Sequence, residues 1–156
     1  MKKLLILLLA TMILAGCATQ SKKVIFNAKY TSPNLLPHSN SYSIEYEGSY
    51  SETRLMTINP ASFNKVRGTH LAYRPKVTLK YTISPESKDT YKLQYSGEVD
   101  YLSTINIRVF NGVQTIDGTV EKHVAIPTAQ ITAHYGQPVS LQWPDDLKIK
   151  VQVDKQ

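Results

Sequence analysis

The chain has 156 residues, of which 42% are hydrophobic and 19% charged, enough for one hydrophobic core and too apolar for a disordered polar tail. Its 18 basic and 12 acidic side chains give a formal charge of +6, but no run of five or six like charges occurs, so the footprint of a nucleic-acid binder is missing. One cysteine excludes a disulfide scaffold, a CxxC redox centre and a multi-cysteine zinc cluster.

Met1-Lys2-Lys3 leads into the apolar run 4–13, followed by Leu14-Ala15-Gly16-Cys17. A positive start, a short apolar stretch and small residues before a cut site make a secretory signal peptide. The run is too short for a bilayer span, which needs about 20 residues. Leu14 to Cys17 resembles the lipobox of bacterial lipoproteins. That resemblance implies removal of residues 1–16, a diacylglyceryl group on the Cys17 thiol and acylation of the new amine. Ala18 stands where inner-membrane lipoproteins of enteric bacteria often carry Asp, which implies sorting to the cell outer membrane, facing the periplasm. Lys2 and Lys3 leave with the signal, so the mature chain carries about +4 and no other thiol, which suits an oxidising compartment. Two or three acyl chains anchor far more firmly than one. Residues 17–23 form the lipidated Cys and a polar tether of roughly 20 Å when extended. Residues 24–156 form one domain.

From Val24 onward the dominant signal is period-two alternation, the mark of half-buried strands. Strands are expected at 24–30, 42–50 and 54–58, with the polar stretch 31–41 as a loop. Asn59 as N-cap, Pro60 at the first helical position and Gly68 past the end bracket a helix of about two turns. Val77, Leu79, Tyr81 and Ile83 share one face of the clearest strand; after the polar loop 84–90, residues 91–95 return as a hairpin. Val99, Tyr101, Ser103, Ile105, Ile107 and Val109 define the next face. Asn111-Gly112 then gives a strong hairpin signal, because a type I′ turn needs positive φ at both central residues. The return strand starts at Val113 and continues past Gly118 as a bulge. Val120, Val124 and Ile126 mark a strand that Pro127 stops, and Ile131, Ala133 and Tyr135 mark another. The last strands, 139–143 and 147–153, flank Pro144-Asp145-Asp146. Nine or more short strands without a βαβ rhythm predict an all-β fold, an antiparallel β-sandwich, immunoglobulin-like or similar, with at most one short helix. A small closed β-barrel is the alternative. A membrane-spanning barrel conflicts with the Lys and Asp on outward faces.

No GxSxG elbow, phosphate loop, GxGxxG or HExxH occurs, so the chain is read as non-enzymatic and free of cofactors. His123, His134 and Glu121 are ligand types that zinc accepts, and they converge only if Ile126 pairs with Ala129 across a turn at Pro127-Thr128. One residue of slip would part them, so no metal site is assigned. The carboxylate pairs open to acid/base work on glycans are Asp145-Asp146 and Glu98 with Asp100, although Asp also forms turns in its own right. Tyrosine is abundant, with ten residues. Tyr42, Tyr46 and Tyr50 would line one strand face beside the polar loop, a platform for a glycan, peptidoglycan or a foreign protein. Tyr is equally a good strand residue whose ring packs while its hydroxyl reaches water. The expected function is an outer-membrane-anchored interaction or assembly module of an envelope machine of the secretion, pilus or conjugation type. Strand addition at a sheet edge is the expected mode of partnership, with 147–153 as the first candidate edge. The alternative is a ligand-binding or inhibitory lipoprotein using the tyrosine face.

Overall fold

Val24, Phe26, Ala28 and Tyr30 are buried while the residues between them are half-buried or exposed, and this alternation defines β1 (Lys23–Ser32). The computed structural model describes residues 23–33, 35–57, 59, 74–111 and 113–156, with the backbone alone at 103–110 and 113–118. Seven further strands follow: β2 (Leu35–Glu45), β3 (Tyr50–Leu55), β4 (Arg74–Pro85), β5 (Thr90–Phe110), β6 (Val113–His134), β7 (Val139–Leu141) and β8 (Lys148–Lys155). They form two antiparallel four-stranded sheets, ordered β2-β1-β8-β7 and β3-β4-β5-β6. The sheets pack face to face as a β-sandwich and do not close into a barrel. The described residues contain no helix; the helix expected over 60–67 lies outside them, as do the expected signal segment and Cys17.

The inward faces make one continuous core. Phe26, Ile149, Val151 and Val153 from one sheet meet Val77, Leu79, Ile83, Leu93 and Val99 from the other. Phe26 stacks on Tyr81 between the sheets, with centroids 3.9 Å apart and 13° between planes. Apolar burial of this kind contributes roughly 2 kcal/mol per large side chain, and it is what holds the layers together. Half of the ten tyrosines belong to this core: Tyr30, Tyr81, Tyr91, Tyr95 and Tyr101 are all buried. Burial pushes the Tyr91 hydroxyl up to about 12, with the charge of Asp154 adding to the effect.

Three expectations about boundaries change. The polar stretch 35–41 is strand, because β2 pairs with β1 from Ser32↔Leu35 through Lys23↔Glu45. A sheet-edge strand needs only one buried side, so a polar composition does not disqualify it. Pro127 does not end a strand. Tyr95 pairs with Ala129 and Gly97 with Ile126, so Pro127 and Thr128 sit in a bulge of one long β6. Proline lacks the N–H of the ladder and is tolerated at edges and bulges. Finally, β8 lies between β1 and β7, so it is an interior strand and not an edge. The Asn111 hairpin is present as expected: Phe110 pairs with Val113, and Asn111 has φ of 49°.

Candidate functional site

Among the described residues β6 is the last strand of its sheet, and no described strand lies along its outer edge. Edge strands present unpaired N–H and C=O groups, a template for another chain. The bulge at Pro127 and Thr128 divides this edge into 119–126 and 129–134. Val124, Ala129 and Ile131 are only half-buried and pack on the margin of the core. Opposite them in the other sheet stands β7, which is just three residues long. Among the described residues the sandwich is therefore thinly covered along this side, where Val139 and Trp143 are also half-buried. Trp143 stacks on Tyr95 with centroids 6.5 Å apart, and its indole N–H has no acceptor among the described residues. Past Arg74↔Leu102, the last described pair of β4 with β5, β5 and β6 pair only with each other among the described residues. The eight residues of β5 beyond Leu102 carry this hairpin arm roughly 25 Å further. On the outer face of the sheet a shallow groove of about 510 Å³ runs past the bulge, lined by Lys80, Thr82, Gln94, Ser96 and Thr128 among others.

The tyrosine face does not assemble. Tyr42 is on β2, Tyr46 is in the turn after it, and Tyr50 opens β3 in the opposite sheet. Each hydroxyl is engaged within the protein: Tyr42 with Arg54, Tyr46 with Tyr135 at 2.7 Å, and Tyr50 with the Glu45 carbonyl at 3.1 Å. Glu47 takes φ of 63° between Tyr46 and Tyr50, and the chain crosses between sheets there. The metal candidates also separate. Glu121, His123 and His134 share one continuous strand, with His123 opposite Asp100 and His134 opposite Thr90. Eleven residues of extended chain put the two imidazoles roughly 36 Å apart. Among the described residues no group of three His, Cys, Asp or Glu is arranged to hold a metal ion.

The carboxylates are tied into local structure. Asp145 and Asp146 have φ of 53° and 54° and form the turn closed by the Leu147 N–H on the Pro144 carbonyl. Asp145 accepts hydrogen bonds from the Tyr101 hydroxyl and the Lys122 ammonium, which hold its carboxyl below the usual range. Asp100 and Glu98 lie on the outer face of β5. Burial pushes the Asp100 carboxyl up, but hydrogen bonds from His123 at 2.7 Å and Lys76 at 2.8 Å outweigh it and leave the group below its ordinary range. An aspartate-histidine pair is half of a nucleophilic triad. Among the described residues Asp100 is the hydrogen-bond partner of His123, and no hydroxyl completes the set.

A second network was not legible in the sequence. Glu52 of β3 is 8% exposed and points between the sheets. Its carboxylate accepts from the Tyr30 hydroxyl and from Asn40 Nδ2 at 2.8 Å, and Arg54 stands 3.6 Å away. Arg54 also donates to Tyr42. Tyr30 and Asn40 come from one sheet, Glu52 and Arg54 from the other, so the cluster clasps the β2 and β3 edges together. The one sequence signal was the Glu52-Thr53-Arg54 spacing, which puts both charges on one face of a strand. No protein-family model, curated protein or solved structure matches this chain.

Proposed function

We propose that the chain is an outer-membrane-anchored periplasmic lipoprotein that acts without catalysis, as an interaction or assembly module of an envelope machine, and that it takes its partner by strand addition along β6. The observation that carries the reading is the place of β6 at the edge of its sheet among the described strands, above a half-buried apolar margin. An incoming strand would pair its backbone with β6 and lay every second side chain over Val124, Ile131 and Val139. Its matching chemistry is an extended segment with alternating apolar residues, supplied by another envelope protein. Pro127 and its bulge guard the same edge against indiscriminate pairing of identical chains, a common use of edge prolines. The anchor rests on Leu14-Ala15-Gly16-Cys17. A single tethered domain gains from this, because confinement near the membrane raises the effective concentration of a partner in the same envelope.

The test is site-specific photo-crosslinking of the full-length chain in cells. A crosslinker at Ala125 or Gln130, both exposed on β6, should give one discrete adduct, and one at Lys88 in the β4–β5 loop should not. Cys17→Ser should weaken the adduct by removing the anchor. No adduct from either β6 position, or equal adducts from all three, would overturn strand addition at this edge.

A further inference from the structure

On the outward face of the β2-β1-β8-β7 sheet, Lys29 of β1 stands directly opposite Lys150 of β8. Ser39 of β2 continues the row beyond Lys29, and Ser140 of β7 continues it beyond Lys150. Lys148 lies two residues from Lys150 on the same face, opposite Thr31. All three lysines are exposed. Like charges directly across a ladder destabilise a sheet, so the fold carries an electrostatic cost here that a nearby acid would ordinarily offset. Two acids share this face: Glu45 of β2 stands opposite Lys23, six residues along the ladder from the Lys29 row, and Asp154 of β8 is occupied by amides. Asn27 Nδ2 donates to one of its oxygens at 2.8 Å and Gln152 Nε2 to the other at 2.9 Å. Among the described residues none of the three lysines has an ion-pair partner. A groove of about 380 Å³ opens beside Lys29 and Lys150, lined also by Ser39, Ser41, Asn27 and Gln152. Two ammonium groups surrounded by hydroxyls and amides form a donor set suited to phosphate.

We propose that this face seats the domain on the phosphate headgroups of an anionic membrane leaflet. The proposal rests on the anchored reading above, and the tether is what selects the occupant. Three lysines attract an anionic surface only weakly, and the attraction fades within a Debye length. A chain held at the leaflet by acyl groups on Cys17 and a tether of roughly 20 Å stays near that range, so weak contacts suffice to orient it. With this face down, the β3-β4-β5-β6 sheet points away from the membrane.

The experiment uses the acylated full-length chain, added to vesicles of phosphatidylcholine alone or of phosphatidylcholine mixed with phosphatidylglycerol. An amine-reactive reagent labels exposed lysines, and mass spectrometry reads each site. Labelling of Lys29, Lys148 and Lys150 should fall several-fold on the anionic vesicles and recover at high salt, while Lys80 on the opposite sheet is unchanged. Lys29→Gln with Lys150→Gln should remove the protection at Lys148 and leave the urea midpoint equal or higher, since a like-charge contact is gone. Equal labelling on both vesicle types, with the chain retained on both, overturns the basic face and leaves the anchor standing. Protection on anionic vesicles without retention on neutral ones keeps the face and overturns the anchor. Protection in the absence of vesicles overturns the proposal in favour of a second copy covering the face.

Discussion

Buried charge concentrates at Glu52 and Asp100, and the two residues respond differently to substitution. Glu52 holds hydrogen bonds from Tyr30 and Asn40 inside the sandwich, so Glu52→Ala leaves both donors and the Arg54 cation without their acceptor. Breaking a buried charged network by removing one partner costs on the order of 3 kcal/mol. Urea unfolding should show a loss of that size, and a change below about 0.5 kcal/mol would mean that the clasp is ornamental. Asp100 is tied to Lys76 and His123 on the sheet's outer face, and its folded pKa is depressed. A depressed carboxylate contributes stability that is present above its unfolded value near 3.9 and is lost as pH falls through the folded value. Asp100→Asn should therefore cost about 2 kcal/mol at neutral pH, as expected for charged hydrogen bonds. The deficit against the parent should shrink below about pH 4. A deficit independent of pH would show that packing, not charge, is what the substitution disturbs.

Of the glycines at Gly48, Gly97 and Gly136, Gly97 of β5 is the one that another strand's backbone approaches closely. A Cβ there would lie 2.1 Å from the Thr78 carbonyl oxygen and 2.8 Å from the Trp143 ring. Gly97 also borders the bulge that carries Pro127 across from Ser96. Gly97→Ala must then push β4 from β5 or displace Trp143, at an expected cost of 2 kcal/mol or more, roughly that of overpacking a core. Thermal unfolding followed by tryptophan fluorescence reads both effects, because Trp143 is the single tryptophan. An unchanged midpoint and spectrum would contradict the close approach. The long β5 and β6 explain why their alternation was legible and their extent was not. Alternation marks the faces of any strand segment, whereas Pro127 looks like a terminator until a neighbouring strand shows that a bulge can absorb it. The same limit applied to the tyrosines. Tyr42, Tyr46 and Tyr50 have the spacing of one strand face, but the turn at Tyr46 and Glu47 places Tyr42 and Tyr50 in different sheets.

At the level of the whole molecule, the first and last strands are neighbours. β1 pairs with β8 from Val24↔Lys155 to Thr31↔Lys148, and β8 sits in the middle of its sheet. Folding must close nearly the full length of the described chain before that sheet exists, which predicts slow, non-local folding of the all-β kind. Deleting residues 148–156 should abolish cooperative unfolding altogether, as seen by circular dichroism. A cooperative transition in the shortened chain would mean that the β3-β4-β5-β6 sheet is stable by itself. The period-two pattern was sufficient to identify the architecture, the main core residues and the Asn111 turn, because burial of alternate side chains and the φ demanded by a tight turn are local constraints. The proposed lipobox is likewise read from adjacent residues, Leu14 to Cys17. The edge place of β6 among the described strands, the interior place of β8, the Glu52 clasp and the Lys29–Lys150 contact all depend on which strands become neighbours. Pairing across the sheet joins residues up to about 130 positions apart, and no local preference specifies those partners; only packing of the two sheets selects them.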